Sequence, residues 1–318
     1  MQENKKIISW WSGGVTSAVA CKLAIEKFGV ENVRIVFIDT RNEDEDTYRF
    51  MKDCESWYSS KIETISSSVF YTIQSVWFSY LRLNTGTGAI CSSTLKRLVR
   101  LKFQEDLNFD HQVFGFSIEE TRRANRLEKN NDDTKPIFPL IENSLTKFDC
   151  IGIISKASIE IPNMYKRGFD NNNCWKTGCI QAGSGYWKKM QAEYPEKFDA
   201  MASVEHQLTN LKGTPVTILK KRYAKEDATN AFLKKHPDYP DLPTIDDMSS
   251  KPMKLRLDCS GFCGTEDEGA GSDLALLDDD SDFVFEIIED KINKREPKVK
   301  DERSERTRKE NYFSFESD

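Results

Sequence analysis

The sequence lacks any apolar run of the roughly 18 to 20 residues that a membrane-spanning helix requires, although the chain is 318 residues long. It also lacks the apolar stretch and cleavage site of a secretion signal, because the opening MQENKK leads directly into a strand pattern. We therefore expect a cytoplasmic protein with no membrane association. In a reducing compartment the eight cysteines are expected to be free thiols or metal ligands, not disulfides.

Basic side chains are missing from Glu266 to Asp290, where eleven residues are acidic. The longer segment from Thr265 to Asp318 has 18 acidic and 9 basic residues, a net charge of −9, whereas the whole chain has −6. The rest of the chain is therefore mildly basic, which is compatible with an anionic ligand without requiring nucleic acid. Such a tail buries little apolar surface and is expected to be mobile. It is either simply solvated or competes with phosphate-bearing ligands for the basic body.

Strand patterns and helix patterns alternate through the first part of the chain. Strands are predicted at Lys6–Trp11, Val33–Thr40, Lys61–Ser67 and His111–Ser117, with helices at Ser17–Phe28, directly after Asp44, and around Phe70–Leu83 and Ser92–Phe103. The strands are continuous in apolar residues, which is typical of a parallel sheet with helices on both faces. This predicts an α/β domain over residues 1–145, a smaller lobe of helices and loops over 146–264, and the tail over 265–318.

The stretch SGGVTS, Ser12 to Ser17, separates the first strand from the first helix. Two adjacent glycines let the backbone approach a ligand closely, and the N–H groups at a helix N-terminus favour an anion. In parallel sheets ligands bind beyond the carboxyl ends of the strands, where this turn lies. The alternative is a strand-to-helix turn with no ligand. The spaced glycine and lysine of a Walker A loop and the third glycine of a dinucleotide fingerprint are both absent.

This stretch resembles the pyrophosphate-binding loop, Ser-Gly-Gly-any-Asp-Ser, of the adenine nucleotide alpha hydrolase (PP-loop) superfamily. Three further segments resemble its phosphoadenosine phosphosulfate (PAPS) reductase-like branch. They are FIDT (Phe37–Thr40), AICSSTLK (Ala89–Lys96) and FGFSIEETRRANRL (Phe114–Leu127). The resemblance extends over Lys6–Gly264 and implies a Rossmann-like parallel sheet of the HUP/PP-loop type. Thr16 stands where the loop usually has aspartate.

The resemblance implies a binding site for ATP and Mg²⁺, with adenine near the ends of the first two strands. The implied nucleotide contacts are Ser12, Gly13, Gly14, Thr16, Ser17, Asp39, Gly115, Glu120 and Arg126. The residues expected to act in catalysis are Lys96, Arg122, Arg123 and Cys91. The basic side chains would neutralise charge on the phosphates, although Arg122 and Arg126, four residues apart, also fit a solvated helix face. Cys91 precedes a predicted helix, where the dipole and Lys96 would favour a thiolate, and it is either a persulfide carrier or structural.

Two close cysteine pairs lie in polar, glycine-rich surroundings. They are Cys174 with Cys179 and Cys259 with Cys263. Together they form a possible four-thiolate set for zinc or a four-iron four-sulfur cluster, with buried packing thiols as the alternative. Cys21, Cys54 and Cys150 lie in apolar helical patterns and are expected in the core.

The resemblance favours an enzyme that splits ATP into AMP and pyrophosphate and adenylates an acceptor. The acceptor would be a nucleobase, tRNA, DNA or a small molecule, and it would receive sulfur from a donor protein or another nucleophile. A sulfonucleotide reductase is the second possibility, but its C-terminal Glu-Cys-Gly-Ile-His motif is absent. A nucleotide-binding regulatory protein without turnover is the third, because Thr16 replaces a carboxylate. The sequence does not determine the oligomeric state.

Overall fold

The computed structural model describes residues 5–85, 88–105, 107–131, 134–172, 174–221 and 228–249. The chain divides into two compact units, Met1–Asp273 and Leu274–Asp318. The second unit and the predicted tail over 265–318 lie outside the described residues. Within the described ranges, no helix combines the length and the apolar character that crossing a membrane would demand.

The strands are β1 (Ile7–Trp11), β2 (Val33–Ile38), β3 (Ile62–Ile65), β4 (Asn84–Thr85), β5 (Gly88–Ala89), β6 (His111–Val113), β7 (Pro136–Ile137), β8 (Leu219–Lys221) and β9 (Thr229–Ala231). Five of them form a parallel sheet in the order β3-β2-β1-β6-β7. The other strands form two antiparallel pairs, β4 with β5 and β8 with β9. The central strand of the main sheet, β1, therefore leads directly into the glycine loop (Ser12–Ser17).

The helices are α1 (Val15–Phe28), α2 (Glu45–Tyr58), α3 (Ile73–Tyr80), α4 (Ile90–Ser92), α5 (Leu98–Glu105), α6 (Thr121–Asn130), α7 (Pro139–Glu142), α8 (Lys147–Lys156), α9 (Asn163–Lys166), α10 (Ser184–Glu193) and α11 (Pro195–Lys212). A π-helical turn, Ser93–Arg97, joins α4 to α5. Short 3-10 turns lie at Val30–Asn32, Ile118–Glu120 and Ile245–Asp247.

Alternate residues of the central strands enter two different cores. Ile7 and Trp11 pack in a core that includes residues of α1, α2 and α8. Ile8 and Trp10 pack on the opposite side, with Phe114 and residues of α6. Because β1 is buried along its whole length, the sheet is covered on both faces. The structure confirms the predicted Rossmann-like α/β arrangement.

Several predicted element boundaries match the observed ones, and two helical regions differ from a single regular helix. The Asp44 side chain accepts a hydrogen bond from the Asp46 N–H and caps α2, as predicted. Within the lobe of helices and loops, the helical pattern over 185–210 extends over two helices. The helix α10 ends before Tyr194, and Pro195 is the first residue of α11. Proline suits that first position, where its missing N–H is not needed. The helix predicted at Ser92–Phe103 contains the π-helical turn.

The helix α11 carries a carboxyl group, Glu205, on its buried face. Glu205 is fully buried and accepts hydrogen bonds of 2.7 Å from the N–H groups of Ile218 and Leu233. Burial raises the pKa of Glu205 to about 8, although the two backbone donors lower it. The side chain thereby fixes the strand region that follows α11 to the helix.

Replacing this group is expected to change how stability depends on pH. The pKa of Glu205 in the folded protein, about 8, exceeds its ordinary value of 4.5. The group's contribution to the free energy of unfolding is therefore complete below pH 4.5 and is lost as the pH rises through about 8. The loss has a maximum slope of about 1.4 kcal/mol per pH unit. The free energy of unfolding of Glu205→Gln, measured in urea from pH 5 to 8, should therefore fall less steeply than that of the wild type. The exposed Glu128→Gln is the control, and equal slopes for all three proteins would contradict the assignment.

Candidate functional site

The glycine loop is held in a fixed shape by its own hydroxyl groups. The Ser17 hydroxyl accepts hydrogen bonds of 3.0 Å from the Ser12 N–H and the Ser12 hydroxyl, and it donates to the Gly14 carbonyl at 2.9 Å. Gly14 is the N-cap of α1 and provides no side-chain cap. The Val15 N–H at the start of α1 donates to the Tyr165 hydroxyl at 3.3 Å. The positive end of the helix dipole lies at this edge of the sheet, which suits an anion.

Gly115 lies two residues after the end of β6 and contacts the glycine loop. A Cβ atom there would lie 2.5 Å from Ser17 Cα and 2.7 Å from Ser17 N. Real Cβ atoms do not approach backbone so closely. Gly115 is therefore needed because the two chain segments pack directly against each other, and any side chain would push the start of α1 away.

Gly13 lies where α2 and a more distant segment meet the glycine loop. Its φ angle of +85° is one that L residues rarely adopt, and a Cβ atom would lie 2.9 Å from Thr47 Cγ2. The buried Asn172 amide donates hydrogen bonds to the Gly13 carbonyl at 2.8 Å and to Thr47 Oγ1 at 3.0 Å. Asn172, which sequence reasoning missed, thus ties the loop to α2.

Asp39 directly follows β2, at the carboxyl edge of the sheet. Its carboxylate accepts hydrogen bonds from the Tyr48 hydroxyl at 3.0 Å and from the Arg41 N–H at 2.7 Å. The Arg41 guanidinium stacks on the Tyr71 ring at 4.3 Å. These contacts order the post-β2 loop, residues 39–44, at the strand end where the nucleoside is expected.

Glu43 belongs to the same loop and was not singled out from the sequence. It is buried, and it accepts hydrogen bonds of 2.9 Å from the Thr40 hydroxyl and the Asn42 N–H. Burial raises the pKa of Glu43 to about 7, the Lys96 ammonium lowers it, and the Asp39 carboxylate raises it. This edge therefore holds two interacting carboxyl groups and a cation, and Glu43 can change its protonation state near neutral pH.

Lys96 lies in the π-helical turn between α4 and α5. Such turns are often found at functional sites, and here the turn places a buried ammonium close to Glu43 and Cys174. Cys91 is buried in α4, one turn earlier. The structure therefore brings Lys96 to the carboxyl edge of the sheet, and its role in catalysis stays a prediction.

The predicted arginines have different environments. Arg123 is buried, pairs with Glu120 at 3.0 Å and stacks on the Phe116 ring at 4.4 Å. Glu120 also accepts a hydrogen bond from the Ser117 N–H and so caps the turn before α6. Arg122 and Arg126 are exposed. Arg123 and Glu120 thus order the segment that follows Gly115, while Arg122 and Arg126 lie on the accessible face of α6.

The structure brings together half of the predicted thiolate set. Cys174 lies close enough to Cys179 for the two side chains to interact, and this interaction together with burial raises the pKa of Cys174 well above its ordinary value. Both residues are partly exposed. Cys259 and Cys263 lie outside the described residues, so the four-cysteine centre stays a prediction. Within the ranges that the structure describes, no group of three or more histidine, cysteine or acidic side chains is arranged to hold a metal ion, and zinc or an iron–sulfur cluster has no support there.

Comparisons with known proteins agree with this geometry. The model of the phosphoadenosine phosphosulfate reductase domain family matches residues 6–181. The match includes the glycine loop, the post-β2 loop, Lys96, the α6 segment and the cysteine pair. A protein of Methanocaldococcus jannaschii, described only as uncharacterized, is 22% identical over 206 residues, which is 63% of this chain and 41% of that protein. The chain therefore spans about two fifths of the length of this relative.

Proposed function

The chain belongs to the phosphoadenosine phosphosulfate reductase domain family of the PP-loop superfamily, and from this premise we propose that it splits ATP into AMP and pyrophosphate to adenylate an acceptor. The observation that carries the proposal is the glycine loop at the N-terminus of α1, where a glycine is the N-cap and Gly115 packs directly against the loop. In this proposal the triphosphate lies over Ser12–Ser17, and the adenosine lies near Asp39.

The basic residues supply the charge that breaking the bond between the α and β phosphates requires. As pyrophosphate leaves, negative charge grows on its oxygens, and a preorganised cation stabilises that charge. Lys96 is buried at this edge, while Arg122 and Arg126 are exposed on α6 and can approach a bound ligand. Bound Mg²⁺ would add further neutralisation, and Asp39 and Glu43 are the carboxyl groups that this edge offers it.

The acceptor in this proposal is a nucleobase, free or in tRNA or DNA, and the nucleophile that replaces AMP is sulfur from a donor protein. In this proposal the cysteine that receives this sulfur is Cys174 or Cys179, which are partly exposed, or Cys91, which is buried in α4. Cys174 lies close enough to Lys96 and Glu43 to interact with both electrostatically, so a thiol lies beside the proposed nucleotide site. The same thiols and the family to which the chain belongs support a second candidate, reduction of a sulfonucleotide.

Product analysis separates these candidates. We expect the full chain, incubated with Mg²⁺ and α-labelled ATP, to release AMP and pyrophosphate, with the rate rising when an acceptor nucleic acid is added. Sulfite release from PAPS in the presence of dithiothreitol would instead support the reductase. Binding of ATP without either product would support the regulatory protein that the Thr16 substitution suggests.

A variant of the glycine loop tests where the phosphates bind. Gly14 has a φ angle of −91°, an extended conformation open to any residue, so the backbone tolerates a side chain there. We expect Gly14→Val to raise the Kd for ATP at least about tenfold, a cost of about 1.4 kcal/mol. Gly14 is the N-cap of α1, and in this proposal a branched side chain there competes with the phosphates for space. Gly14→Ala should have a smaller effect, and calorimetry measures both. Equal affinities for the wild type and Gly14→Val, with unchanged thermal unfolding, would contradict the assignment.

A further inference from the structure

Tyr71 presents an aromatic ring to solvent at the carboxyl edge of the main sheet. It lies in the segment that follows β3, residues 66–72, and it is 72% exposed. The neighbouring Phe70 is buried and packs against the Tyr80 ring, with ring centroids 6.0 Å apart. Because Phe70 fixes the segment to the body of the protein, Tyr71 is exposed in an ordered position. An exposed ring that is held in one place suits a flat ligand.

The Arg41 guanidinium supports the Tyr71 ring from one side. Its central carbon lies 4.3 Å from the ring centroid, and it donates hydrogen bonds to the Ser66 hydroxyl at 2.6 Å and to the Tyr71 carbonyl at 3.3 Å. The Arg41 N–H donates to the Asp39 carboxylate at 2.7 Å. One residue therefore connects the exposed ring to the strand end where the nucleoside of ATP is expected.

A second group of aromatic and basic side chains joins the other end of the post-β2 loop. Asp44 forms an ion pair with Arg167, whose guanidinium carbon lies 4.3 Å from the centroid of the Trp175 ring. The Lys197 ammonium lies 4.9 Å from the centroid of the same ring, and it donates a hydrogen bond to the Lys176 carbonyl at 3.4 Å. Two cations therefore lie over one ring beside the loop.

The cations of the two groups differ in their partners. Arg167 and Lys176 form ion pairs with carboxylates of the chain, Asp44 and Glu45. The hydrogen bonds of the Arg41 and Lys197 side chains go instead to neutral oxygens. The charges of these last two residues are thus the ones that an anionic ligand would balance.

The two groups are close enough to contact one short polynucleotide. Arg41 and Asp44 are three residues apart, so their Cα atoms are at most about 11 Å apart. A strand of about four nucleotides covers that distance at roughly 3.4 Å per nucleotide. The Lys176 N–H donates to the Asn42 carbonyl at 3.2 Å, which places the second group directly against the middle of the loop.

We infer that the acceptor is a single-stranded nucleic acid that lies across the post-β2 loop, stacks a base on the Tyr71 ring and sets its phosphates against the cations beside it. Every base can stack on an aromatic ring, and basic side chains balance the charge of the backbone. The bases of a duplex are stacked inside it, so a duplex offers the ring no free base. That the strand is the acceptor rests on the proposed function, whereas its binding does not. The strand-binding surface consists of Arg41, Tyr71, Arg167, Trp175, Lys176 and Lys197.

Fluorescence anisotropy with labelled oligonucleotides of about 12 nucleotides tests this surface in the absence of ATP. The full chain is titrated with a single strand of mixed sequence, with the same sequence as a duplex, and with a strand of equal length in which abasic sites replace the bases. We expect the single strand to bind at least about fivefold more tightly than the abasic strand and more tightly than the duplex. Its affinity should fall as the salt concentration rises.

Matched variants assign the contacts. Tyr71→Ala should raise the Kd for the single strand about tenfold and leave that for the abasic strand unchanged, whereas Tyr71→Phe keeps the ring and the affinity. Lys197→Gln should weaken the binding of all strands alike and reduce the slope of the salt dependence by about one. The controls with unchanged binding are Phe148→Ala, which removes a ring that is 81% exposed on α8, and Lys52→Gln, exposed on α2.

Several results would overturn the inference. These are a wild type that binds no oligonucleotide, a duplex or abasic strand that binds as tightly as the single strand, and a loss in Phe148→Ala equal to that in Tyr71→Ala. A Tyr71→Ala variant with weaker ATP binding and unchanged strand binding would assign the ring to the adenine of ATP instead. If the strand binds as expected but the protein releases no pyrophosphate in its presence, the proposed function fails while the strand-binding surface stands.

Discussion

Gly115→Val is expected to eliminate measurable nucleotide binding and to lower stability. A Cβ atom at this position would lie 2.5 Å from Ser17 Cα, so the start of α1 would have to move and the glycine loop would lose its shape. Overpacking of this kind typically costs about 1–3 kcal/mol, and backbone is less able to adapt than a side chain. Calorimetry with ATP measures the loss of binding, and unfolding in urea measures the loss of stability. Gly115→Ala should already show most of the loss of binding and most of the loss of stability.

The matched control is Gly152, in the middle of α8. Nothing lies within 4 Å of a Cβ atom placed there, and alanine favours a helix over glycine by roughly 1 kcal/mol. Gly152→Ala should therefore leave ATP binding unchanged and stabilise the protein slightly. If Gly115→Ala behaved like Gly152→Ala in both measurements, the close approach to Ser17 would not be the reason for this glycine.

The sequence contains most of the information about the fold because the strands are short and buried on both faces. The continuous apolar run of β1 and β2 identified a parallel sheet, and Asp44 marked the start of α2. Gly115 could be singled out as a glycine in a recognisable segment. The physical reason why this position requires glycine is its contact with the backbone of Ser17. That contact depends on β6 lying next to β1 and is visible only in three dimensions.

The residues that sequence reasoning missed act across long separations in the chain. Asn172 contacts Gly13, 159 residues away, and nothing in the local sequence around either residue indicates this contact. Glu43 looked like one acidic residue in an acidic loop, and its importance comes from burial beside Asp39 and Lys96. A charged residue three positions after another, as Arg123 is after Glu120, could have suggested an ion pair on a helix.

Lys96→Met is expected to lower the rate of pyrophosphate release about 10²–10³-fold, the usual cost of removing one preorganised group that stabilises transition-state charge. Lys96 is buried, so its charge acts in a medium that screens it weakly. ATP affinity should fall less than the rate, because charge on the leaving group grows as the bond breaks. Steady-state release of pyrophosphate from labelled ATP measures the rate, and the exposed Lys102→Met, on α5, is the control with an unchanged rate.

A structural role for Lys96 would give a different pattern. The Lys96 ammonium lowers the pKa of Glu43, so Lys96→Met raises that pKa further and makes the buried carboxylate more costly, which destabilises the protein at neutral pH. Adding Glu43→Gln removes this charge and should restore thermal stability. If Lys96 acts on the phosphates, the double variant stays much slower than the single variant Glu43→Gln although it is stable, and Lys96→Arg recovers part of the rate. Equal rates for the stable double variant and Glu43→Gln would instead show that Lys96 only supports the fold around Glu43.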